Sequence, residues 1–113
     1  MSEQRVAGPQ LSRGEFGLLI LGLLKRREMY GYEIVAEMRR STEGAIDLPE
    51  GTVYPALRRL ERDGLIGGRW LEMAGGAPRR RYYRLTQQGE KALALGREDW
   101  LRFKCAADAV LGS

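Results

Sequence analysis

The segment Phe16 to Leu24 carries seven large apolar side chains in nine residues: Phe16, Leu18, Leu19, Ile20, Leu21, Leu23 and Leu24. Ser12-Arg13-Gly14-Glu15 ahead of it has the form of a capping box, in which Ser12 satisfies an orphan backbone N–H and Glu15 reaches back to Ser12. A helix started there is apolar around almost its whole circumference, so something must surround it. The run is far shorter than the roughly 20 residues a bilayer needs. Lys25-Arg26-Arg27 follow it directly, the reverse of the order in a secretory signal, and the chain is expected to be soluble and cytoplasmic, with no membrane partner. Its 113 residues suffice for one compact domain. Such a domain leaves part of an all-round apolar helix uncovered, and a second copy of the chain is the simplest cover.

Histidine is absent and Cys105 is the sole cysteine. These two facts remove Ser-His, Cys-His and His-metal arrangements, an internal disulfide and a thiolate cage for zinc. Gly75-Gly76 runs into Ala77-Pro78 rather than a Lys-Ser/Thr pair, so no phosphate-cradling loop is formed. The expectation is binding rather than catalysis, with no cofactor and no metal. Cys105 reads as a small apolar filler.

The net charge of +4 is unevenly placed. Residues 1–49 and residues 86–113 are each neutral, while residues 50–85 hold eight arginines against Glu50, Glu61, Asp63 and Glu72. The whole surplus sits in that segment and consists of Arg, whose planar fork suits phosphates and guanine edges. Duplex DNA is the expected partner.

Ile34, Val35 and Met38 give helical spacing after a break at Glu28-Met29-Tyr30-Gly31. Ser41 to Leu48 reads as a connection, and a third helix runs from about Gly51 or Thr52 to Asp63 with Gly64 as its stop, which puts Pro55 in the first turn. On its wheel Val53, Ala56, Leu57 and Leu60 share a core face, while Gly51, Pro55, Arg58 and Arg62 lie opposite, flanked by Tyr54 and Arg59. Leu65 to Glu72 and Arg79 to Leu85 read as a two-stranded hairpin around a Gly-rich turn. Thr86 caps a last helix, along which Leu93, Trp100 and Ala107, and Gly96, Phe103 and Val110, repeat every seven residues as a dimerisation seam. Glu98 and Arg102 form a favourable pair outside it. The fold class is α+β, mainly α: residues 1–11 an N-terminal segment, 12–85 a winged helix-turn-helix domain, 86–113 an added C-terminal dimerisation helix. Tyr32 and Tyr83 read as half-buried core aromatics, and Tyr54 as functional.

Leu18-Leu19-Ile20-Leu21-Gly22-Leu23-Leu24, Tyr30-Gly31-Tyr32-Glu33-Ile34, Gly51-Thr52-Val53-Tyr54-Pro55-Ala56-Leu57-Arg58-Arg59-Leu60-Glu61, Asp63-Gly64-Leu65-Ile66 and Arg81-Tyr82-Tyr83-Arg84-Leu85-Thr86-Gln87-Gln88-Gly89 follow one another in an order and spacing that resembles the PadR family of bacterial transcriptional regulators, in its short form with a single C-terminal helix. The resemblance implies a homodimeric, ligand-responsive repressor on an inverted-repeat operator. It puts Thr52, Tyr54 and Arg58 on the recognition helix, Tyr32 on the supporting helix and Arg79, Arg80 and Arg81 on the wing; the wheel adds Arg62. Tyr30 and Pro49 stand where relatives often carry other residues. A winged-helix module for protein interaction is the alternative function.

A regulator without a sensor domain must take its ligand where binding can change the spacing of two recognition helices. The expected place is the dimer interface, with Trp100 as the main wall and Leu93 and Phe103 beside it. The expected ligand is small, flat, hydrophobic and aromatic, neutral or cationic given Glu98 and Asp99.

Overall fold

The computed structural model describes residues 13–112, so the Ser12 cap and the segment 1–11 lie outside the described residues. Its elements are α1 (Arg13–Arg26), β1 (Met29–Tyr30), α2 (Gly31–Ser41), α3 (Glu50–Arg62), β2 (Ile66–Leu71), β3 (Arg80–Leu85) and α4 (Gln87–Leu111). The strands form one antiparallel sheet in the order β1-β3-β2. Three helices, a hairpin wing and a long final helix make the winged helix-turn-helix that the sequence led us to expect.

The sheet has one strand more than expected. Met29 pairs with Tyr83 and Tyr30 with Tyr82, so the break between the first two helices is itself a short strand on β3. Two residues are too few for an alternation to register in a sequence. Met29 is fully buried there, and Tyr83, expected to be half-buried, is only 7% exposed.

α1 is surrounded by its own chain. It packs against α2, α3, α4 and β3. Phe16, Ile20, Leu21, Leu23 and Leu24 are buried, and only Leu18 and Leu19 of its large apolar residues stay partly accessible. The expectation that this helix needs a partner chain for cover is corrected: α4 and β3 close the sides that a three-helix count leaves open. One cluster joins α1 to Ile34, Val35 and Met38 of α2, the core face of α3, Ile66, Tyr83 and Leu93. Each large aliphatic side chain wholly inside it contributes about 1.5 to 3 kcal/mol of transfer free energy.

The seam on α4 divides in two. Leu93 is buried in the cluster, and Gly96 lies against Leu18, where a Cβ would meet the leucine side chain. The first heptad therefore docks on the chain's own α1, while Trp100, Phe103 and Val110 are left exposed. Arg102 pairs with Asp99, not with Glu98 as the i,i+4 spacing suggested. Thr86 caps α4 as expected, accepting the Gly89 N–H at 3.0 Å, and its own hydroxyl donates to the Gly64 carbonyl at 2.7 Å.

Candidate nucleic-acid interface

Burial of Val53, Ala56, Leu57 and Leu60 fixes the rotation of α3 about its axis. Tyr54 and Arg58 are thereby turned outward and exposed, with Thr52 half-buried between them and the core. Pro49 caps the helix, which begins at Glu50, so Pro55 falls in the second turn rather than the first. The Gly51 carbonyl then has no N–H four residues on, a loss of little consequence where Gly51 is open to water. Arg58 has neither carboxylate nor hydrogen-bond partner among the described residues.

Tyr54 is held by a close approach. Its ring lies across Gly31 at the start of α2, where any Cβ would run into it. Burial pushes the phenol above its ordinary value, assisted by Glu50 and Tyr30, so the hydroxyl stays protonated and able to donate at neutral pH. The contact joins the outer side of α3 to the entry of α2, where Tyr32 stands 57% exposed. The reading of Tyr32 as a half-buried core aromatic is corrected: α2 turns Ile34, Val35 and Met38 inward, and the first-turn Tyr32 falls on its wet side. Tyr32 stacks on Tyr30 with ring centres 6.3 Å apart, and Tyr30 meets Tyr82 at 5.3 Å.

The three wing arginines take separate positions. The Arg80 guanidinium sits 4.4 Å over the Tyr30 ring, continuous with the tyrosine group at the start of α2. Arg79 lies 4.5 Å over Trp70, with both residues exposed. Arg81, on the same side of the hairpin as Arg79 and 5.3 Å from the centre of the same Trp70 ring, pairs with Glu61 on α3. Sequence reasoning missed Tyr30, Tyr82 and Trp70 as parts of this surface. The β1–β3 pairing brings Tyr30 and Tyr82 together, whereas Trp70, across from Arg81, stands on the other face of the hairpin, and the Tyr30-Gly31-Tyr32 string was the only local signal. Exposed guanidiniums backed by aromatic rings suit contacts with phosphates and sugars.

Arg62 is exposed but falls elsewhere. With Arg59 it lines a cleft of about 800 Å³ bounded by α1, the end of α3 and α4. Leu18, Leu21, Gly96, Trp100 and Phe103 supply the apolar wall, and Glu15, Asp63 and Asp99 the carboxylates. The Trp100 and Phe103 rings are 6.1 Å apart. Leu93, expected beside them, is in the core and does not line the cleft. Among the described residues no cluster of acidic or cysteine side chains could hold a metal ion, and no helix is long and apolar enough to cross a membrane.

Residues 20–95 match the model of the family described as "Transcriptional regulator PadR-like family". A transcriptional regulator from Clostridium thermocellum superposes with a TM-score of 0.78 at 35% identity, covering 86% of this chain and 93% of that one. A PadR family transcription regulator from Clostridium difficile R20291 gives 0.76 at 34% identity, over 86% and 98% of the two chains. The transcriptional regulator YqjI of Escherichia coli K12 is 35% identical over 75% of this chain, which spans only 39% of the length of that relative.

Proposed function

The chain belongs to the PadR-like family of transcriptional regulators, and on that premise we propose that it is a homodimeric repressor that binds an inverted-repeat operator and is released by a small aromatic ligand. The observation that carries the DNA-binding reading is the rotation of α3: its core face is buried to the last residue while Tyr54 and Arg58 point outward beside the entry of α2. A helix so presented can enter a major groove, with Thr52, Tyr54 and Arg58 toward the bases. Tyr32, Arg79 and Arg80 then meet the backbone on either side. Arg62, on the cleft wall, has at most an outlying phosphate to reach.

Exposure of Trp100, Leu101, Phe103, Val110 and Leu111 supports dimerisation through the free half of α4. Two copies related by a twofold axis present two recognition helices, which is why the site should be an inverted repeat. The cleft supports the ligand reading, because its walls include both Trp100 of α4 and Arg59 of α3, so an occupant touches the assembly helix and the recognition helix together. Three carboxylates against two guanidiniums keep a neutral or cationic aromatic as the expected class.

The test is footprinting on the DNA upstream of the chain's own gene, with and without planar aromatic compounds. Two protected half-sites spaced by about one helical turn are expected, with protection lost on adding ligand. Ligand quenching should survive in Trp70→Phe and vanish in Trp100→Phe. The opposite pattern moves the ligand to the wing.

A further inference from the structure

One wing side chain turns back onto the recognition helix. Arg81 Nη2 lies 2.5 Å from Glu61 Oε2 on α3, with the two side chains 27% and 32% exposed. The same guanidinium is 5.3 Å from the ring centre of Trp70, its cross-strand neighbour, and 5.8 Å from that of Tyr83. Gly68 makes the path possible: a Cβ there would stand 2.7 Å from Arg81 Nε. The pair also occupies a particular place in the sheet. β1 supports β3 only at Tyr82 and Tyr83, so beyond Arg81 the wing is a two-stranded ribbon, which has little rigidity of its own. Glu61 meets Arg81 where the third strand ends.

We propose that Glu61 and Arg81 form a brace that sets the angle of the wing to α3, which makes Arg81 a positioning residue for operator recognition instead of a DNA contact. The inference rests on the DNA-binding reading above. It has a sign that a contact role would reverse. If Arg81 held phosphate, Glu61 would be an anion competing for it beside a polyanion. Glu61→Gln would then free the guanidinium, remove a negative charge from α3, tighten binding to every duplex and steepen its salt dependence. If the pair is a brace, Glu61→Gln releases the wing, and holding it in register becomes an ordering cost of specific binding.

The experiment measures the ratio of affinity for the protected upstream site to affinity for a random duplex, which cancels changes in net charge. For a brace the ratio falls about tenfold in Glu61→Gln, in Arg81→Gln and in the double variant alike, because partners in one interaction do not add. Gly68→Val, which displaces the guanidinium with both charges kept, should lower it too and covers the case in which Glu61→Gln folds poorly. A second readout needs no DNA: in a Trp100→Phe background, Glu61→Gln should make Trp70 more accessible to acrylamide quenching. Unchanged quenching, or a ratio that stays unchanged or rises in Glu61→Gln, overturns the brace and leaves the DNA-binding reading standing. Wild type that binds both duplexes alike overturns that reading first, and the brace with it.

Discussion

Tyr54 combines two jobs in one side chain in the proposed complex, since its ring edge and hydroxyl fill the space over Gly31 while 36% of the residue stays exposed on the outer side of α3. The two can be separated. Tyr54→Phe keeps the ring and removes only the donor, so it should leave the unfolding midpoint unchanged while weakening operator binding by about 0.5 to 1.5 kcal/mol, the range for a hydrogen bond between neutral groups. Arg58→Ala should cost about 1 to 3 kcal/mol in the same anisotropy titration. Operator affinity equal to wild type in either variant removes that residue from the interface. Both residues were legible in the sequence because a helical wheel needs only periodicity. Arg81 was not: its partner Glu61 lies 20 positions away. That pairing depends on how a strand docks on a helix, and local pattern carries no such information. Tyr32 failed for a related reason, since the outward face of α2 is known only once its neighbours are in place.

At the scale of elements, the most closely specified junction is the one between wing and last helix. Thr86 accepts from Gly89 and donates to Gly64, so a single hydroxyl ties the end of β3, the start of α4 and the turn after α3. Thr86→Ala removes both bonds and should lower stability by about 1 to 2 kcal/mol, seen as a lower urea midpoint at unchanged slope. A midpoint within error of wild type would show the cap to be dispensable. This cap, the core face of α3 and the two wing strands could all be read from residue types and spacing. The start of α3 and the strand β1 could not. Pro55 is ordinarily confined to a first turn, yet here it lies in the second because Pro49 already caps the chain one turn earlier. β1 exists only as an edge to β3.

The whole molecule is elongated: its Cα radius of gyration is 15.5 Å, against about 13 Å for a compact domain of this length. The cause is α4, whose 25 residues reach about 37 Å. The arginine surplus sits on the other elements, in α3 and the wing, so charge surplus and exposed apolar surface are segregated. Two copies making about 6 to 10 phosphate contacts should lose on the order of a thousandfold in affinity between roughly 50 and 200 mM salt, and a flat response would deny the electrostatic footprint. The sequence foresaw a partner for α1 and α4 alike, and the structure withdraws the need for α1, since circumference alone does not say which sides the same chain will cover. What remains on α4 ties helical order to concentration. Past Phe103, which lines the cleft, the helix runs on with mostly exposed side chains, so each added turn needs no new nucleus but gains little burial, and its helix–coil balance is near even in water. In the proposed dimer, folding of that end and pairing with a second copy are one equilibrium. Circular dichroism at 222 nm should accordingly lose helical signal as the protein is diluted below its association constant, and a mean residue ellipticity that stays constant on dilution would mean that this end of α4 holds itself.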